Sequence, residues 1–126
     1  AREEREHGIK LIEYLSMRGL LTDTVNNLIT LPTKVLPSSS WNGVSALTHA
    51  LDLETKVTTA INNLISVCEG STQKQNDYHL VDYLSGVYLE EQYKGQREIA
   101  GRLATLKKME NAQGALGEFL FDKQLL

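Results

Sequence analysis

Apolar residues recur every three or four positions along most of this chain, and no stretch alternates as a strand would. Residues 1–18 place Gly8, Leu11, Ile12 and Leu15 at helical spacing, and Gly19 is the expected stop. Residues 43–68 carry a longer stripe of Val44, Leu47, Leu51, Glu54, Val57, Ile61, Leu64, Ile65 and Cys68. That spacing is kept for about seven turns, and Gly70 is the expected C′ residue beyond it. A third helix is predicted from about Asn76 to Lys108, with Asn76 or Asp77 as its cap and Lys107 and Lys108 in its last turn. Its stripe is Leu80, Leu84, Tyr88, Gln92, Gly95, Ile99, Leu103 and Leu106. Such a helix is about 50 Å long, a length that suits a large bundle. A break at Asn111 to Gly114 precedes a last helix over 115–124. Its residues Leu116, Phe119, Leu120 and Phe121 are apolar on several sides, which predicts a subunit contact.

Residues 20–42 change the picture. They hold both prolines, Pro32 and Pro37, followed by Ser38, Ser39 and Ser40. A connection this long without regular structure is uncommon, so it is expected to cross the length of the domain. The helical pattern also begins at the first residue without a cap, which predicts further chain upstream. With 126 residues, a single all-α domain over 1–126 is expected.

Charge and composition narrow the function. Thirteen Lys plus Arg against 16 Asp plus Glu give a net charge of −3, which argues against a nucleic-acid partner. No apolar run approaches the ~20 residues that span a bilayer, so no membrane partner is expected. The single cysteine, Cys68, is either a small apolar packing residue or half of a disulfide to a partner upstream or on another subunit.

The candidate chemistry lies where polar residues interrupt apolar faces. Glu4 and His7 are three apart and share a helical face, with Glu3 bordering it. Glu-x-x-His on a bundle helix is a ligand pair for two iron ions, because a carboxylate can bridge and an imidazole can complete the shell. A solvated helix face explains the same run of charges. Glu54 falls in register with Leu47, Leu51, Val57 and Ile61, where an ionised group is costly unless it faces a cation. The bland alternative is a carboxylate at the stripe edge paired with a lysine. Gln92 interrupts the third stripe and offers an oxygen, or is simply a satisfied core amide. Three such sets on three helices point together to a metal held inside a bundle. His49 and His79 have no comparable setting, and no Ser-His-Asp arrangement, paired-cysteine motif or glycine-rich phosphate loop is present.

These residues bring a family into view. Glu-Glu-Arg-Glu-His at 3–7, Ala-Leu-Asp-Leu-Glu at 50–54, Tyr-His-Leu-Val-Asp-Tyr-Leu at 78–84, Tyr-Leu-Glu-Glu-Gln at 88–92 and Gly-Glu-Phe-Leu-Phe-Asp-Lys at 117–123 resemble ferritin, from its second bundle helix to its C-terminus. Tyr-Leu-Ser-Met-Arg-Gly at 14–19, Leu-Val-Asp-Tyr-Leu at 80–84 and Cys68 resemble the heavy-chain, ferroxidase type of insect secreted ferritin.

The resemblance implies a four-helix bundle plus a short fifth helix, with the first helix absent from this chain. It implies an intra-bundle di-iron site, where Glu4 and His7 bind the first iron, Glu4 bridges, and Glu54 binds the second. Gln92 is counted with Glu4, His7 and Glu54 among the metal-site residues and would position water or dioxygen there. Glu3 and Glu6 match acidic positions facing the cavity, where ferric oxyhydroxide mineral nucleates. Asp82 resembles a carboxylate of the three-fold entry channel, although Ser85 stands where its companion is usual. Leu116 and Leu120 match the apolar four-fold pore, with Gln124 where many animal ferritins carry histidine. The implied partners are Fe(II), dioxygen and the other subunits of a 24-subunit shell, including a light-type second subunit. The implied location is the secretory pathway or outside the cell, with a cytoplasmic alternative. Two other readings stay open: a shell subunit that nucleates mineral without oxidising iron, and a truncated ferritin serving as an assembly scaffold.

Overall fold

A computed structural model describes residues 2–20, 41–70 and 76–125. All regular structure among them is helical. The connection expected over 20–42 falls mostly on residues 21–40, outside the described ones. The chain divides into two compact units, residues 1–38 and 39–126.

The first unit is built on α1 (Arg2–Met17). It ends as its sequence predicts. Gly19 takes a φ of +67°, and the amides of Gly19 and Leu20 donate back to the carbonyls of Ser16 and Leu15. That pair of bonds is a Schellman cap, and glycine tolerates its left-handed residue without strain.

The second unit holds the other helices. α2 (Gly43–Glu69) starts with a reciprocal cap: the Asn42 side chain accepts from the Ser45 amide, and the Ser45 hydroxyl accepts from the Asn42 amide. At its far end the expectation for Gly70 fails. Gly70 is extended, at φ −64° and ψ 133°, and not left-handed. The carbonyl of Cys68 instead accepts from the amide of Asp77, so the next helix closes the end of α2.

The helix expected over 76–108 runs further and is not uniform. α3 (Tyr78–Tyr83) is capped by Asp77, whose side chain accepts from the Leu80 amide. A π-helical turn (Leu84–Leu89) follows, then α4 (Glu90–Gln113). The π turn has a packing reason. Leu84, Tyr88 and Gln92 are all buried and each is four residues from the next. Steps of four overshoot an α-helical turn by about 40° each, and a wider turn absorbs the drift. Gly114, at φ +59°, lets the chain turn into α5 (Ala115–Leu125), so the break is confined to one residue.

α2, α4 and α5 meet at a tight corner. Leu106 is fully buried there, with Leu103 and Phe121 close to it in exposure. The Gly43 amide at the start of α2 donates to the Glu118 carboxylate of α5 at 2.5 Å. A Cβ on Gly43 would stand 2.8 Å from Leu106 Cδ2, and one on Gly117 would stand 2.3 Å from the Met109 carbonyl oxygen. At Gly117 the neighbour is backbone, so only glycine permits that approach; at Gly43 the neighbours are side-chain ends. Outer faces carry exposed ion pairs one turn apart, Asp52–Lys56, Glu90–Lys94 and Glu98–Arg102, which contribute little to stability.

The stripe read on α2 proves to be two faces. Glu54, Ile61, Ile65 and Cys68 are half-buried, whereas Leu53, Val57, Leu64 and Val67 are exposed. The residue most buried on α2 is Thr58. No described helix is long and apolar enough to cross a membrane.

Candidate metal centre

The candidate ligands divide between the two units. In the first, helical spacing alone brings Glu4 and His7 together: the Glu4 carboxylate lies 3.7 Å from His7 Nδ1. The His7 side chain is largely covered, at 18 % exposure, while that of Glu4 is 61 % exposed. Glu3 and Glu6 are exposed on the same helix.

In the second unit, α2 and α4 bring the turns of Glu54 and Gln92 together around Thr58. Thr58 and Gln92 are the buried polar residues among those described. The Thr58 hydroxyl lies 3.4 Å from Gln92 Oε1 and 3.0 Å from the Glu54 carbonyl of its own helix. Gln96, one turn beyond Gln92, donates through Nε2 to Thr58 Oγ1 at 2.6 Å and to the Glu54 carbonyl at 3.1 Å. The Glu54 carboxylate is half-buried and has no cationic partner among the described residues. Within neither unit do three or more His, Cys, Asp or Glu side chains converge among the described residues.

Tyr88 lies one turn before Gln92 and is buried, with its ring edge-on to Tyr83 at 5.7 Å. Burial first, then the hydrogen bond with Tyr83, pushes its hydroxyl well above the ordinary tyrosine range. It is a neutral group beside Gln92 at any physiological pH.

Thr58 and Gln96 were not singled out by the sequence. The available signal was register: Thr58 is four residues after Glu54 and Gln96 four after Gln92. The remaining expected sites stand apart. Asp82 is exposed on α3 and Ser85 is exposed in the π turn. Leu116 and Leu120 are exposed on α5, at 57 % and 39 %, as a surface awaiting a neighbour would be. Cys68 is half-buried near the end of α2 and is a free thiol. His49 packs edge-on to Trp41 at 5.9 Å, and His79 is exposed.

Known proteins show what the chain is similar to. The family model described as a ferritin-like domain matches residues 1–109. The ferritin heavy chain of Drosophila melanogaster is 61% identical over 126 residues, covering 99% of this chain and 60% of that protein. The ferritin heavy chain of Trichoplusia ni is 57% identical over 129 residues, covering 100% of this chain and 59% of that protein. A crystal structure of Trichoplusia ni secreted ferritin superposes with a TM-score of 0.86 at 57% identity, over 98% of this chain and 64% of that one. The chain therefore spans about three-fifths of the length of the relatives it matches.

Proposed function

The chain belongs to the ferritin family, and from that premise we propose that it is part of a ferroxidase-type iron-storage subunit. Its substrates are Fe(II) and dioxygen. Two Fe(II) ions held side by side supply two electrons, which with two protons convert dioxygen to hydrogen peroxide and leave two Fe(III). By the family resemblance, Glu4 and His7 would hold the first iron, with Glu4 shared between the two, and Glu54 would hold the second. Carboxylates favour the higher charge of the ferric product, so the protein drives oxidation by ligand charge and geometry. Gln92 holds water or dioxygen by hydrogen bonding beside the second iron.

One observation carries this reading. Glu54 is half-buried beside the contact of Thr58, Gln92 and Gln96, with no cation among the described residues to offset its charge. Such a group is costly to keep unless a cation arrives from outside. Around it we place the other expected roles. Glu3 and Glu6 receive ferric product for the ferric oxyhydroxide mineral. Asp82 lines an entry channel. Leu116 and Leu120 seal a contact between subunits in a 24-subunit shell with a light-type partner. Cys68 pairs with a cysteine outside this chain, in a protein of the secretory pathway.

The test is the initial rate of Fe(II) oxidation by the assembled full-length protein beside its Glu54→Ala variant. We expect a ten- to hundredfold loss with the particle size unchanged. Slow and equal rates in both would make the subunit a shell and mineral-nucleating component instead.

A further inference from the structure

The hydrogens around Thr58 can be assigned one by one. The Gln96 carboxamide has two N–H hydrogens, and its nitrogen lies within bonding distance of two acceptors, Thr58 Oγ1 at 2.6 Å and the Glu54 carbonyl at 3.1 Å. The Glu54 carbonyl has two lone pairs. One takes the helical amide of Thr58, and the other takes Gln96. The single hydroxyl hydrogen of Thr58 has two acceptors in reach, the Glu54 carbonyl at 3.0 Å and Gln92 Oε1 at 3.4 Å, and Gln96 competes with it for the first. No buried side-chain nitrogen or oxygen among the described residues lacks a partner. With the Glu54 carbonyl taken by Gln96, the donors run in one direction, from Gln96 through Thr58 to Gln92. This direction occupies the carboxamide oxygen of Gln92. Its NH2 group makes no hydrogen bond to the described residues.

We propose that Thr58 and Gln96 are positioning residues that set which end of the Gln92 carboxamide faces the iron site. With the oxygen held by Thr58, the NH2 end is presented. Gln92 then acts as a hydrogen-bond donor to a substrate oxygen and does not ligate metal. Gln96 matters because it takes over the Glu54 carbonyl, which would otherwise compete for the Thr58 hydrogen at the shorter distance of 3.0 Å. The inference rests on the proposed oxidation site, and it adds two residues that touch neither iron nor dioxygen.

Thr58→Val keeps the shape and removes the hydroxyl, and Thr58→Ser restores it. In the assembled full-length protein we expect Thr58→Val to slow Fe(II) oxidation about three- to tenfold, the value of one lost hydrogen bond, while Thr58→Ser keeps the parent rate. A second readout does not depend on turnover. Co(II) added to the iron-free protein should give an altered visible absorption spectrum in Thr58→Val, because the freed carboxamide can turn its oxygen to the metal, and the parent spectrum in Thr58→Ser. If Thr58→Val does not assemble, Gln96→Met breaks the same chain from α4 and should produce the same two changes. Equal slowing in Thr58→Ser, or an unchanged Co(II) spectrum in Thr58→Val, overturns the inference. Gln92→Ala and Glu54→Ala, measured alongside, separate the two levels: if they are slow while Thr58→Val is not, only the positioning role fails. If neither slows oxidation, the oxidation site itself is wrong.

Discussion

α2 meets the α4–α5 arm in two places by opposite means. At the Gly43 corner the contact is closed and mostly apolar, with Leu106 fully buried and no room for a Cβ on Gly117. Around Thr58 the contact is polar, through Gln92, Gln96 and the Glu54 carbonyl. Close apolar packing stabilises directly, since every methylene removed from water contributes. A buried polar hub does little more than break even, because each bond formed replaces one to water. The difference teaches where to look for each property: stability at the corner, directed hydrogen bonding in the middle.

The comparison can be broken at the corner first. Gly117→Ala drives a methyl against the Met109 carbonyl, and neither backbone can yield cheaply. We expect a loss of about 3 kcal/mol in the unfolding free energy of the full-length protein, read from denaturant titration. A loss below about 1 kcal/mol would mean the corner is loose and the contrast is unfounded.

A smaller effect isolates the charged part of the corner. The Glu118 carboxylate accepts the Gly43 amide, one of the unpaired donors at the start of α2. Glu118→Ala should cost about 1.5 kcal/mol and leave the Fe(II) oxidation rate of assembled particles unchanged. A slowed rate at unchanged stability would move Glu118 from the packing side of the comparison to the chemical side.

The smallest effect sharpens the middle and appears only in alkali. Tyr88 ionises in the folded protein well above the ordinary tyrosine range, with burial as the leading cause. An unfolded tyrosine releases its proton near pH ~10. The unfolded state thus loses a proton first, so this contribution is fully present below about pH 10 and declines as pH rises beyond it. Denaturation midpoints at about pH 8 and pH 11 should fall less in Tyr88→Phe than in the parent. A parallel fall in both proteins would mean that Tyr88 is not sequestered.

What was legible in the sequence was local. Helical spacing determined the bounds of α1, α2 and α5 almost to the residue, although it did not fix which face of α2 is buried. Gly19 and Asp77 announced their caps, since each satisfies its own helix end with nearby atoms. Glu4 with His7 was visible for the same reason: residues three apart on a helix are neighbours whatever surrounds them. Tertiary structure decided the rest. Gly70 could dispense with a left-handed turn because Asp77, from another helix, reaches the Cys68 carbonyl. The π turn answers to a register that only the packing of Leu84, Tyr88 and Gln92 imposes. Thr58 and Gln96 read as ordinary polar residues until α2 and α4 are laid together. A hydrogen bond between helices depends on which faces meet and at what distance, and no spacing along one helix contains that information.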